Sequence, residues 1–430
     1  MLRKFIAIAV LLLNGLVFAQ EVDSTLTKLI DKAVFVSPAL EALRSKQAAA
    51  EAEVPQVSNL PDPMLTLGLA NLPTNTFSFT QEPMTGKIVG LSQAVPFPGK
   101  LSAAGDVQEK VTEIIEQEIL DKRNEIINSV SKVYYDLRFT REALRIARQN
   151  KDLLKQINEV VEAKYSVSRA TQQNLIQINV EITKQLDKIE ELIGRENSNL
   201  AILNTYLLND PDSPIQTKGI PLLSENKLTI AKLDSLAKSY RPFLRGIEKQ
   251  KEKAELMEEL AEYEFYPNFN FSVQYSQRDE IARTNTPLND FFTAMVGISI
   301  PINYGGKKSA KVEEARLMQK MYNDQYNAAL QSLQQNFGSS LSKLNEIIER
   351  EKLIRTALLP QAQQSLRAAL GSYEVGEIDF INVIDAQNKL FDIETNLYKL
   401  RTEYFKETKQ LQFLTGSKLF DGSSLSGELR

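Results

Sequence analysis

Acidic side chains gather late in the chain, where Glu377, Asp379 and Asp385 follow Tyr373 and surround Asn382. Carboxylates in such a cluster can gather cations, or they can simply cap a helix, because the first helical turn favours negative charge whatever the function. Both readings stay open at this level. Catalytic chemistry has little to build on. The chain has no His, so a serine or cysteine nucleophile has no imidazole base. It has no Cys either, which excludes disulfides, thiol chemistry and a lipid-bearing cysteine, and leaves no soft ligand for a metal. Gly99-Lys100 and Gly306-Lys307 suggest phosphate loops, but Ala94 and Pro301 stand at the earlier glycine position. Neither lysine is followed directly by Ser or Thr. They read as turns into helices. Other paired carboxylates lie on helical faces of the kind that water or lysine satisfies. No catalytic residue, cofactor or metal site is assigned.

The acidic cluster lies between two helical segments, and those belong to a unit written twice. Similar residues recur at a spacing of roughly 204 to 208. Pro38 and Pro63 fall opposite Pro242 and Pro267, Leu65-Thr66-Leu67 opposite Phe269-Asn270-Phe271, Val89-Gly90-Leu91-Ser92 opposite Val296-Gly297-Ile298-Ser299, and Tyr165 opposite Tyr373. A leader over 1–19 precedes the repeats, with Arg3 and Lys4 before an apolar run and small residues at Val17 and Ala19. The first repeat spans 20–224: a helix over 26–57, a β-hairpin over about 64–97, a long helix over 101–165, a helix over 172–208 and a linker. The second spans 225–430: a helix over 230–262, a hairpin over about 268–302, a long helix over 307–373, a helix over 380–415 and a tail.

In the helices, apolar residues recur at alternating spacings of four and three, as in Ile178, Ile182, Ile189 and Ile193, or Leu390, Ile393, Leu397 and Leu400. Such a period marks supercoiled packing. A long helix of this kind spans roughly 100 Å and needs partners of equal reach, which the two shorter helices of each repeat supply end to end. Pro360 is expected to kink the second long helix.

The strand segments alternate. Phe269, Phe271, Val273 and Tyr275 share one face, with Asn270, Ser272 and Gln274 on the other. The partner strand is read over 295–302, and Phe265, Tyr266, Phe291, Phe292 and Tyr304 cluster at strand ends as an interfacial girdle would. No apolar stretch after the leader is long enough for a spanning helix, so any membrane crossing uses strands. Four strands cannot close a barrel, so the chain must oligomerise. Two, three or four copies would give eight, twelve or sixteen strands. The net charge of −4, carried without long single-sign blocks, makes nucleic acid a poor partner.

The element order, the duplication, and the turn Tyr373-Glu374-Val375-Gly376 followed by Ile384-Asp385-Ala386-Gln387 resemble TolC-type outer-membrane efflux proteins over essentially the whole mature chain. The resemblance implies an α+β membrane protein: a homotrimer whose twelve-stranded β-barrel, four strands per chain, continues into a long α-helical coiled-coil barrel. It places the protein in the outer membrane with a periplasmic helical extension, exported through the general secretory pathway. It also implies outer-membrane lipid, a periplasmic adaptor (membrane fusion) protein and an inner-membrane pump as partners. Tyr373 and Asp385 fall where the family's gate residues lie. The periplasmic gate candidates are therefore Tyr373, Glu377, Asp379, Asn382 and Asp385 in the second turn, with Tyr165 and Gln177 in the first. Asn382 replaces an acid that some relatives carry, and in the first turn Ser168 replaces the glycine and Gln177 the acid. The segment Val95-Pro96-Phe97-Pro98-Gly99-Lys100 is similar to the strand-to-helix turn of the branch serving heavy-metal cation exporters of the resistance-nodulation-division class. The implied role is the outer-membrane channel of a tripartite efflux system, conducting passively, with metal cations or drugs as cargo. The rival reading is a non-transporting periplasmic or surface coiled-coil protein.

Overall fold

The computed structural model describes residues 23–223, 228–417 and 419, and the expected leader lies outside the described residues. The chain opens with α1 (Ser24–Val36) and α2 (Pro38–Ser58), then β1 (Met64–Ala70) and β2 (Gly86–Val95). Next come the 67-residue α3 (Lys100–Ser166) and α4 (Gln172–Leu207). The second set is α5 (Ile230–Tyr240), α6 (Pro242–Glu262), β3 (Phe269–Gln277) and β4 (Phe291–Ile298), then α7 (Ser309–Leu353), α8 (Leu359–Val375) and α9 (Phe380–Thr415).

Where the sequence suggests one helix before each hairpin, the structure has two. Ser37 and Arg241 are extended, at ψ 114° and 111°, because each precedes a proline whose ring disfavours helical geometry in its neighbour. Pro38 and Pro242 then open new helices, where a missing N–H costs nothing. Side-chain caps set other starts. Asp23 accepts from the backbone of Thr25 and Leu26, Thr171 from Asn174, and Thr229 from Lys232. Pro360 acts through the turn before it: residues Ile354–Leu358 form one wide π turn between α7 and α8, which absorbs the missing backbone bond.

The chain divides into two compact units. One, made of Ala42–Ile119 and Pro242–Ala329, holds the sheet. Its order is β1-β2-β3-β4, antiparallel throughout, so the two hairpins join through β2 and β3. Directly paired residues share a face. One face carries the row Leu67, Val89, Tyr275 and Phe292, and the other carries Thr66, Gly90, Gln274 and Thr293. The apolar face is bare: Leu67 is 71% exposed and Phe292 73%. β4 begins earlier than the 295–302 reading and stops at Ile298. Ser299 makes one last backbone bond to Asn268, and Pro301 has no N–H to extend the ladder. At the strand-to-helix turn, Phe97 stacks on Tyr266 at 4.5 Å, and Gly99 has φ +93° with the Tyr263 hydroxyl where a Cβ would stand. Only glycine fits there.

The other unit comprises the chain up to Glu41, Leu120–Arg241 and the chain from Leu330. Tyr134, Leu137, Leu203 and Leu411 are fully buried in it. Arg138 ties the linker down, donating from Nε to the Lys218 carbonyl at 2.9 Å, from Nη2 to the Gly219 carbonyl, and from Nη1 to Asp23 at 3.0 Å. Tyr134 donates to the same carboxylate at 2.8 Å.

Candidate functional site

The acidic cluster lies in the helical unit, at the turn joining α8 to α9. Gly376 closes α8 at φ +85°, and the Glu377 N–H reaches back to the Ser372 carbonyl at 2.9 Å. These are the features of a Schellman cap. The α3–α4 turn repeats the geometry. There Ser168 takes φ +62°, and the Arg169 N–H reaches the Lys164 carbonyl at 2.8 Å.

Tyr373 does not project from this turn. It is buried with Leu154, Ile157, Val161, Ile178, Leu366 and Val383, and its ring meets Phe380 at 5.4 Å. Lys164 covers it from the other turn: Nζ lies 4.7 Å from the ring centroid and donates to the Tyr373 carbonyl at 2.7 Å. One cation thus serves a ring and a helix C-terminus together. The Tyr373 hydroxyl is buried without a hydrogen-bond partner among the described residues. Burial pushes its pKa up, and the nearby Asn174 side chain pulls weakly the other way.

The carboxylates behave differently. Glu377, Asp379 and Asp385 are all exposed, as is Asn382. Glu377 accepts from the Ser372 hydroxyl at 3.3 Å, and Asp385 pairs with Lys389 at 2.6 Å. Asp379 occupies the N-cap position of α9, yet its side chain makes no capping bond; Asn382 donates to its backbone carbonyl instead. Among the described residues the carboxylate has no hydrogen-bond or ion-pair partner and faces solvent. Tyr165 is 45% exposed and Gln177 half-buried, on the other turn. The structure therefore brings Lys164 to Tyr373 and leaves the acids as a solvated fringe. Among the described residues, no group of acidic side chains in one chain is arranged to hold a metal ion.

Just inside the turn lies a polar layer that the candidate list omits. The Gln387 amide donates to Asn150 Oδ1, Asn150 donates to Gln185 Oε1 at 2.9 Å, and Gln185 donates to the Ala147 carbonyl at 3.1 Å. All three side chains are buried, and they tie α9, α3 and α4 in one layer. The signal for it was present in the sequence. Each residue sits where the four-three spacing calls for an apolar side chain, and a polar residue at such a place fixes helix register at some cost in stability.

Residues 233–417 match the model of the family described as outer membrane efflux protein. The chain is similar to the pyoverdine export outer membrane protein OpmQ of Pseudomonas aeruginosa, 24% identical over 89% of this chain and 82% of that one. It is similar too to the cobalt-zinc-cadmium resistance protein CzcC of Cupriavidus metallidurans, 22% identical over 68% of each chain. Its fold matches that of the outer-membrane channel OprN with a TM-score of 0.77, over 92% of this chain and 90% of that one, at 14% identity.

Proposed function

We propose that the chain is a member of the outer membrane efflux protein family, whose model residues 233–417 match, and on that premise that three copies build one duct from the outer membrane into the periplasm. As a member of that family it is an outer-membrane efflux channel. The trimer, the twelve-stranded closure and the gate are our reading. The observation that carries it is the sheet. Among the described residues β1 and β4 each have a strand neighbour on one side only, and one sheet face is apolar and bare while the other is polar. In lipid an open edge leaves backbone groups unpaired, so β4 of one copy must meet β1 of the next until the sheet closes. Three copies of four strands make a barrel of twelve, within the range of membrane barrels.

The helical unit then forms the periplasmic wall, with a periplasmic adaptor and an inner-membrane pump as partners. The α8–α9 turn supplies the mouth. Three copies would bring three sets of Glu377, Asp379 and Asp385 round one axis, with Asn382 among them, while Tyr373 anchors each turn from behind. Tyr165 and Gln177 take the corresponding, less charged places on the other turn. One relative is named for pyoverdine export and another for cobalt-zinc-cadmium resistance. A duct that leaves cargo choice to its pump accounts for both. A rod-like spacer has no use for a sheet with one apolar face, so we set that reading aside.

The test is conductance in a planar bilayer. The purified trimer should conduct in discrete steps, and Asp385→Ala together with Tyr373→Ala should raise the open probability. A folded trimer that never conducts, even with the turn loosened, would overturn the duct.

A further inference from the structure

A cavity of about 340 Å³ opens in the helical unit where α3, α4 and α9 meet, well away from the acidic turn in sequence and lined by different chemistry. Its floor is apolar, with Phe139, Ala143 and Leu192 all buried and Phe391 beside them. Its rim is charged, and the charges do not cancel. Lys406 is spent on Asp136 at 2.8 Å, and Lys188 on Glu191 at 2.7 Å. Arg195 and Lys399 remain. Among the described residues neither has a carboxylate within 4 Å, and the Arg195 guanidinium rests 5.9 Å from the Phe139 ring. Against these two cations the rim sets one unpaired acid, Glu403.

A polar atom in the wall also lacks a partner. Among the described residues the Thr395 hydroxyl is buried with no hydrogen-bond partner, whereas Thr402, two helical turns on, is satisfied by the Tyr398 carbonyl at 2.9 Å. A buried donor left unmade is costly, so the site is poised for an acceptor atom. Apolar floor, surplus positive rim and free hydroxyl together describe one class of ligand.

We propose that this cavity binds a small amphipathic organic anion, an aromatic or aliphatic body with one carboxylate or sulfonate head. The body lies against Phe139, Leu192 and Phe391. The head accepts from Arg195 and Lys399, and one oxygen accepts from the Thr395 hydroxyl. A cation would face the surplus positive rim, and a neutral molecule would leave both cations unpaired. The inference stands apart from the duct reading, because a passive duct needs no such site in its wall. Since the occupant bridges three helices, it stabilises the folded unit, by an amount that grows with the logarithm of its free concentration above Kd.

The probe is 2-naphthalenesulfonate, titrated into the purified full chain in non-ionic detergent and followed by probe fluorescence, which is clean because the chain has no Trp. Expected are one saturable site per chain, weakening as salt rises, and at least tenfold weaker binding of the neutral analogue 2-naphthalenemethanol. Arg195→Gln with Lys399→Gln should lower affinity at least tenfold, and Thr395→Val about threefold. Absence of saturable binding overturns the proposal, as does equal competition by the alcohol or unchanged affinity in the double variant. If the double variant fails to fold, Thr395→Val and the comparison of sulfonate with alcohol decide it on folded protein.

Discussion

Ser168 and Gly376 hold the same left-handed backbone position at the two helical turns, with φ of +62° and +85°, and each is followed by the same reach-back bond to the helix it closes. Glycine adopts that geometry freely, whereas a Cβ there costs about 1–2 kcal/mol. Ser168→Gly should therefore raise stability by about 1 kcal/mol, less what glycine loses through added freedom in the unfolded chain. Gly376→Ala should lower it by about 1–2 kcal/mol. A Cβ at Gly376 meets nothing within 4 Å, so the cost is backbone strain alone. Denaturant midpoints of the two variants should move in opposite directions, and a common direction would refute the assignment.

A closed ring of charges in the sheet-bearing unit carries a pH dependence. Lys110 reaches Glu113 and Glu252, and Lys249 reaches the same two carboxylates, all four contacts at 2.9 Å. Burial alone would raise both glutamates, but hydrogen bonds from the two lysines outweigh it and hold their pKa below the usual value. Hydrogen bonds to Glu113 and Glu252 hold Lys110 and Lys249 above theirs. For the acids, the folded pKa is depressed. Their contribution is present above the unfolded value and is lost as pH falls through the folded one. For the lysines the sign reverses: the contribution is full below the unfolded value and is lost as pH rises through the folded one. The ring should thus be flat across neutral pH and weaken at both extremes. Thermal unfolding of Lys110→Met with Lys249→Met, scanned from acid to neutral pH, should show a smaller acid loss than the natural chain. The difference will be modest, because these side chains are partly solvated.

Glu351 and Arg401 form a different kind of pair, at 2.8 Å with both side chains buried. Arg355, on the π turn before Pro360, adds a second contact to Glu351 at 3.3 Å. Glu351→Ala leaves Arg401 charged and enclosed, which costs about 3–5 kcal/mol. Glu351→Leu with Arg401→Met removes both charges and should recover most of that loss. If the double variant unfolds as easily as the single, the cost lies in packing at the π turn rather than in the unpaired charge.

Legibility from sequence follows the same physics. Alternation over Phe269, Phe271, Val273 and Tyr275 marks one sheet face because the strand period is two, and the register rows bear that out. The end of β4 was misread because alternation continues through Ile300 and Ile302, while hydrogen bonding cannot pass Pro301. The breaks at Ser37 and Arg241 were signalled by the prolines that follow them, but helical periodicity on both sides masked them. At the turn, the exposed acids were visible as a composition, whereas the burial of Tyr373 was not. It comes from Leu154, Ile157, Val161 and Ile178 on the other helical hairpin, with Lys164 over the ring, and such a long-range contact has no local signature. The amide layer of Asn150, Gln185 and Gln387 was present as three exceptions to an apolar pattern, each unremarkable alone.

Lys164 is the most economical place to test how the two turns are held together. Its ammonium covers the Tyr373 ring and donates to the Tyr373 carbonyl, so Lys164→Met removes a cation–π contact and a charged hydrogen bond while keeping most of the side-chain bulk. Such contacts are worth about 1–3 kcal/mol together at a partly buried site. The loss should be local, because the layer of Asn150, Gln185 and Gln387 further along the helices is untouched. Amide exchange over 160–175 and 370–385 should therefore quicken by about five- to a hundredfold, while exchange in the middle of α3 stays as it was. Uniform quickening along the whole of α3 would mean that Lys164 supports the bundle as a whole and that the turn has no stability of its own to lose.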